Sequence, residues 1–326
     1  MYETHYGLTR QPFSLLPDPD CLLLGHNHKI AYLILQNALL NSEAFTVLTG
    51  EIGCGTTTLI RHLMRSVGPQ ITFGLISDTV RLRGEILERV LLAFGLDVST
   101  GGWTEKFNRF TKFTLEQYAQ GKRVVVIVDE AQNLDHKALE ELRVLSNINA
   151  EKDLLVQIIL TGQPELRQKL LDPRLEQFAQ RISKLYHLLP LNESGTREYI
   201  RHRLSIAGGK PELFSDEACD QVYRESRGIP RIINQLCDMA LTYAFGLEKD
   251  HVDGAVMELV ITDREAAWTV SPTPVHTGHE EPDVAPSLAE EPSVGNKYRA
   301  ASGPARKRFS VIERHYTGMD KQDDGE

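Results

Sequence analysis

The sequence predicts an α/β fold: a mostly parallel five-stranded sheet with helices on both faces, then a small helical domain and a disordered tail. Three observations predict it. Five short apolar runs, rich in β-branched residues, are bounded by turn signals: "AFTVLT" (44–49), "ITFGLIS" (71–77), "RVVVIVD" (123–129), "LLVQIILTG" (154–162) and "KLYHLLPL" (184–191). Between them lie amphipathic segments such as "RGEILERVLLAFGL", "NRFTKFTLEQYAQG" and "HKALEELRVLSNI", and this alternation marks βαβ units. After Pro190 strand character gives way to helical patterns.

Taken in order, residues 1–24 form a Pro- and aromatic-rich lead-in. Residues 25–191 form the α/β core, opened by the helix "HNHKIAYLILQNALLNSE" with Ile30, Leu33, Ile34 and Ala38 at helical spacing. Residues 192–262 form the helical lid, where Ser215 followed by Asp216 and Glu217 reads as an N-cap with an acidic first turn. Residues 263–326 hold six of the fifteen prolines and little apolar periodicity, so they are expected to be disordered.

The chain has 326 residues, is 41% hydrophobic and 25% charged, and carries a net charge of −9. That balance fits a soluble globular protein and opposes a surface that grips nucleic acid as a whole. The four cysteines, Cys21, Cys54, Cys219 and Cys237, are far apart with no C-x-x-C pair, so a reducing cytoplasm is expected rather than a zinc site or disulfide framework. The start has no basic leader followed by an apolar core, and no run approaches the roughly 20 apolar residues that span a bilayer.

The chemistry begins at "GEIGCGTTTLIRHL". Gly50-x-x-x-x-Gly55 stands where a strand turns into a helix, the spacing of a loop whose backbone N–H groups curl around phosphate oxygens. Such a loop continues with Lys and then Ser or Thr, whereas here Gly55 is followed by Thr56, Thr57 and Thr58. The candidate binding residues are Gly50, Glu51, Ile52, Gly53, Cys54, Gly55, Thr56, Thr57 and Thr58. Downstream, "RVVVIVDEAQNL" ends an apolar strand on Asp129-Glu130. The first carboxylate is placed to orient Mg²⁺, and the second to polarise an attacking water. A buried strand ending in an exposed acidic turn is the structural alternative. The extra strand between the two motifs, with Glu directly after Asp, predicts the additional-strand class of P-loop ATPases, binding ATP with Mg²⁺.

With these motifs in order, the chain resembles AAA+ ATPases of the ExeA, or general-secretion-pathway-A, type, which are related to MSHA-biogenesis, exosortase-associated and TniB-like ATPases. The likeness runs from residue 2 to about 245 and is carried by "YGLTRQPFSLLPDP", "GEIGCGTTTL", "VVVIVDEAQNL", "ILTGQPELRQKL", "LEQFAQRISKLYHLLPL" and "RGIPRIINQLCDMAL". It implies Thr57 as the Mg²⁺-binding hydroxyl, Asp129 as the metal-orienting acid and Glu130 as the water-activating one. Gln163 falls in the sensor-1 region, with Thr161 as its rival. Arg181 falls at the arginine finger for a neighbouring subunit, and Arg231 at sensor 2. The implied partners are ATP, further copies of the chain and a secretion or surface-export machinery, at a cytoplasmic location that is peripheral to the inner membrane through a partner. Longer members add a membrane helix and a periplasmic peptidoglycan-binding region, which this sequence does not display.

The loop lysine normally bridges the β- and γ-phosphates, and a hydrogen bond to a charged group contributes about 1.5–3 kcal/mol. Its loss weakens binding by roughly ten- to a hundredfold, leaving backbone amides, the helix dipole and Mg²⁺ to hold the phosphates. Three readings stay open: a slow ATPase with Lys184, Arg231 or a neighbour's Arg181 supplying charge; a non-hydrolysing nucleotide scaffold; or a site disabled by Thr56. A different class is a transposition-type DNA adaptor, using Arg197, Arg201 and Arg203 of "TREYIRHRL" and "PARKRF" (304–309), against a solvated basic face. "RKRFSVIERHY" in the tail is a candidate docking segment. Arg174 and Arg181 have a solvated helix face as their alternative. Leu166, Leu170 and Leu171 read as core, Cys54 as a small residue in a tight turn, and His26, His28 and His202 as surface residues without metal-ligand spacing.

Overall fold

The apolar runs assemble as one parallel sheet in the computed structural model, which describes residues 1–16, 23, 25–77, 79 and 86–269. In chain order the elements are α1 (Tyr2–His5), α2 (His26–Leu40), β1 (Phe45–Gly50), α3 (Thr56–Ser66), β2 (Ile71–Ile76), α4 (Ile86–Ala93), α5 (Trp103–Ala119), β3 (Arg123–Val128), α6 (His136–Leu145), β4 (Asn149–Ala150), β5 (Asp153–Leu154), β6 (Val156–Gly162), α7 (Pro164–Leu170), α8 (Glu176–Ala179), β7 (Ile182–Leu188), α9 (Glu193–Ile206), α10 (Asp216–Ser226), α11 (Pro230–Gly246) and α12 (Gly254–Thr269). The sheet order is β2-β3-β6-β1-β7, with every pairing parallel. The five expected strands are present. β4 and β5 form a separate antiparallel hairpin, which takes Leu154 from the start of the expected fourth strand.

Central strands covered on both faces must be apolar on both, and β1 and β6 are buried at every position. Alternate residues serve the two faces. Phe45, Val47, Val126 and Ile158 pack with Leu87, Val90, Leu139, Leu142 and Phe178 on one side. Leu48, Val125, Ile127 and Ile159 pack with Ala31, Leu35, Leu59 and Leu63 of α2 and α3 on the other. Each such fully buried Leu, Val or Phe contributes about 1.5–3 kcal/mol relative to exposure. Thr49 lies opposite Gly162, Gly50 opposite Leu188, and Val128 opposite Leu160. The C-terminal ends of β1, β3 and β6 therefore open onto one edge.

The buried face of α2 differs from the expected stripe. His28, Ala31, Leu35, Ala38 and Leu39 face inward, while Ile30, Leu33, Ile34 and Leu40 line a shallow groove with Lys184. This helix is apolar nearly all round, so two stripes share the helical period. Small Ala31 and Ala38 let the first one approach the sheet. Leu171, expected in the core, is 77% exposed, whereas Leu166 and Leu170 are buried.

The lid packs α9 to α12 around their own core, in which Leu204, Val222, Leu236, Ala240 and Met257 are buried. Ser215 Oγ accepts from the Ala218 amide, so the expected N-cap of α10 is present. The lead-in is part of this core: Tyr2, Leu8 and Phe13 are buried within it. Tyr2 Oη donates to Asp238 Oδ1 at 2.5 Å, and Tyr6 Oη to the Lys249 carbonyl at 2.8 Å. α12 continues to Thr269, seven residues past the expected lid boundary. The rest of the expected tail, with "PARKRF" and "RKRFSVIERHY", lies outside the described residues, as does Cys21. Among the described residues no helix is long and apolar enough to cross a membrane.

Candidate nucleotide-binding site

Residues 51–55 leave β1 and turn into α3. Gly53 and Gly55 take φ of +89° and +98°, which side chains rarely tolerate. A Cβ at Gly53 would also sit 2.6 Å from Arg231 Cβ, because the start of α11 lies against the loop. The Arg231 amide donates to the Gly53 carbonyl at 3.2 Å, so lid and loop are joined directly.

Thr57, in the first turn of α3, donates its hydroxyl to Asp129 Oδ2 at 2.7 Å. The other oxygen of Asp129 accepts from Thr161 Oγ1 at 2.5 Å and from the Glu130 amide at 3.0 Å. Asp129 is buried behind Thr57. Glu130 adopts a left-handed φ of 54°, an uncommon conformation for a side-chain-bearing residue. Thr79 Oγ1 donates to its carbonyl at 3.0 Å. Glu130 Oε2 accepts from Gln132 Nε2 at 2.5 Å and Gln163 Nε2 at 3.1 Å. Gln163 is the N-cap of α7, directly after β6.

These groups border a cleft of about 370 Å³ whose lining includes residues 50–58, Glu130, Gln163 and Arg231. Gln163 reaches the cleft wall, while its rival Thr161 is buried and holds Asp129. Thr56 also lines the cleft. Beyond the loop, the cleft continues between Leu15, Leu16, Leu23 and Leu191, with Tyr199, Arg203 and Asn234 of the lid.

Not every candidate converges here. Lys184 lies opposite Thr46 near the start of β1, paired with Glu43 at 3.8 Å. At about 3.3 Å per residue it is a strand's length from the loop, so it does not replace the missing lysine within this chain. Arg181 precedes β7 at the same far end and donates to Ser146 Oγ at 3.2 Å. Arg174 is bound to Asp172 at 2.7 Å. In the lid, Arg197 pairs with Asp220 and Arg201 with Asp216 at 2.7 Å, while Arg203 is buried. The expected basic face is therefore largely countered by acids.

His28, expected on the surface, is 3% exposed and lines the cleft. Its Nε2 lies 2.8 Å from the Cys54 carbonyl. A carbonyl only accepts, so Nε2 carries the hydrogen and donates to the loop. Burial holds the imidazole below its ordinary pKa, partly opposed by that bond. Burial also pushes the Cys54 thiol up to about 11, as suits a packed small residue rather than a reactive thiolate. His26 is exposed and His202 partly buried.

Among the described residues no group of three or more His, Cys, Asp or Glu is gathered for a metal. A hydroxyl beside one carboxylate still fits Mg²⁺, which keeps waters and leans on substrate phosphates. The glycine turns and helix N-terminus fit a phosphate chain.

Comparison with known proteins agrees with this geometry. A family model described as an AAA domain matches residues 40–170. The general secretion pathway protein A of Aeromonas hydrophila is 39% identical over 246 residues, which cover 75% of this chain and 45% of that protein. The chain thus spans about half the length of this relative. Among solved structures, the Aeropyrum pernix ORC2 protein superposes with a TM-score of 0.60 at 16% identity, covering 80% of this chain and 75% of that one. Cdc6p from Pyrobaculum aerophilum gives 0.60 at 14%, covering 80% and 74%. By strand order, motif placement and these likenesses, the chain belongs to the AAA+ class of P-loop NTPases and is of the general secretion pathway protein A type.

Proposed function

We propose that the chain binds MgATP in this cleft and hydrolyses it slowly, the change of nucleotide moving the lid against a neighbouring copy or partner in a secretion or surface-export system. The observation that carries this reading is the Thr57–Asp129 pair with Glu130 beside it, all at the sheet edge that also bears the loop. Thr57 and Asp129 would hold Mg²⁺, with Asp129 kept in orientation by Thr161 and the Glu130 amide. Held by these two residues, Mg²⁺ would supply positive charge that offsets what the absent lysine leaves uncountered.

Glu130 would act as the general base, its carboxylate aimed by the amides of Gln132 and Gln163. Gln163, already bonded to Glu130, would link a phosphate oxygen to that base. Arg231, in the cleft wall and tied to the loop by its backbone, would supply the cation that offsets Thr56. Arg181 would act only on a neighbour's nucleotide. The base would lie at the apolar end, among Leu15, Leu16, Leu23 and Leu191. Two similar proteins lend support: the ORC2 protein was solved as ADPNP and ADP complexes, and the Aeromonas relative is named for the general secretion pathway.

Titration of the full chain with MgATP, followed by phosphate release by the natural chain and by Glu130→Gln, tests the reading. Saturable binding with slow turnover that disappears in Glu130→Gln, while binding persists, is expected. Binding without turnover would turn the protein into a nucleotide-gated scaffold. No binding at millimolar MgATP would sink the proposal.

A further inference from the structure

Arg203 is a buried charge outside the phosphate-binding motifs. It sits on α9 of the lid and is 6% exposed. Its Nε donates to the Pro12 carbonyl at 2.5 Å, and its Nη2 to the Ser14 carbonyl at 3.1 Å. Its Nη1 lies 3.5 Å from Tyr199 Oη, one helical turn earlier, and the guanidinium carbon is 5.8 Å from the centre of the Tyr199 ring. Tyr199 Oη in turn donates to Asn234 Oδ1 on α11 at 3.1 Å. Among the described residues no carboxylate pairs with Arg203. Its charge is met by backbone oxygens of the lead-in instead.

A guanidinium is a rigid fork, and its charge-assisted bonds are stronger than neutral ones. Gripping two carbonyls two residues apart, it sets the course of the backbone that carries Leu15 and Leu16 along the cleft. Both leucines are more than half exposed although they line the cleft. The lead-in has other ties to the lid, through Thr9 to the Ala207 carbonyl and through Phe13 against Phe214. Those lie before residue 14, so within residues 1–16 the Arg203 fork is the tie that reaches closest to Leu15 and Leu16.

We propose that Arg203 is a positioning residue for the nucleobase: it fixes residues 12–16 to the lid, so that the wall against the base and the lid move as one body. This rests on the nucleotide reading above. The phosphate end is held by the loop and does not depend on Arg203, so the residue divides the ligand into two halves with different sensitivities.

The test compares MgATP with magnesium tripolyphosphate, which carries the phosphates without a base, by calorimetry on the full chain and on Arg203→Met and Arg203→Lys. Arg203→Met is expected to weaken MgATP about tenfold, the scale of one lost charged hydrogen bond, and to leave tripolyphosphate within about twofold. Arg203→Lys, which keeps the charge without the fork, should fall between. Equal weakening of both ligands, or unchanged MgATP affinity, overturns the inference. If tripolyphosphate and MgATP both fail to bind the natural chain, the nucleotide reading itself has failed.

Hydrogen exchange on the natural chain avoids any folding defect of the variants. MgATP should protect residues 12–16 and α9 together, and tripolyphosphate should protect neither. Protection of the lead-in without α9 would also overturn the inference.

Discussion

The Thr57 hydroxyl donates to Asp129 Oδ2 at 2.7 Å, joining the first turn of α3 to the end of β3. That bond brings the two halves of the motif set into one site, although a strand and several helices separate them in sequence. Thr57→Ala removes the hydroxyl and leaves the Asp129 oxygen without this donor. MgATP affinity should fall about tenfold or more, while affinity for ATP without Mg²⁺ changes little. Paired titrations with and without the metal check this.

Thr56→Lys restores the cation that such loops carry. Thr56 opens α3 and lines the cleft, so a lysine there would extend into it. Affinity for MgATP should rise by about ten- to a hundredfold. Unchanged affinity would mean that Arg231 already supplies the charge, which Arg231→Gln in the natural background would then expose.

His28 makes stability depend on pH. Its folded-state pKa lies below the ordinary value because burial disfavours the charged ring. The unfolded chain therefore takes up a proton first. The contribution is present in full above the unfolded value of about 6.5 and is lost as pH falls from there through the folded value. His202, also depressed by burial, acts in the same direction. Melting temperatures measured between pH 8 and pH 5 should fall less steeply for His28→Gln than for the natural chain.

Gly228 connects α10 to α11 at φ +74°, and a Cβ there would lie 1.7 Å from the Leu191 carbonyl oxygen. Gly228→Ala should destabilise the protein by about 2–4 kcal/mol, through strain and displacement of the chain entering α9. Gly68 has open space around it and a negative φ. Gly68→Ala is the control that should leave thermal unfolding nearly unchanged.

The five strands, the loop, Asp129-Glu130 and the N-cap at Ser215 were legible because each depends on neighbours in sequence. Alternation, glycine spacing and capping are local rules. Other positions were not local questions. On α2 the stripe Ile30, Leu33, Ile34 and the stripe His28, Ala31, Leu35 share one period, and only contact with the sheet selects between them. In "TREYIRHRL" three arginines look alike, yet two meet acids at the surface while Arg203 is buried against the lead-in backbone. Gln132 could have been suspected from its place two residues after Glu130, but its partner Gln163 is on another strand's end.

By itself the sequence determined the class of fold, the glycine loop without a lysine, and the acidic pair at the end of β3, since backbone conformation and short spacing encode all three. Tertiary structure alone decided which cations reach the cleft, that the lead-in belongs to the lid's core, and that a buried histidine holds the loop. Those outcomes depend on which surfaces meet across long chain separations, where burial and hydrogen-bond satisfaction choose among side chains that look equivalent in one dimension.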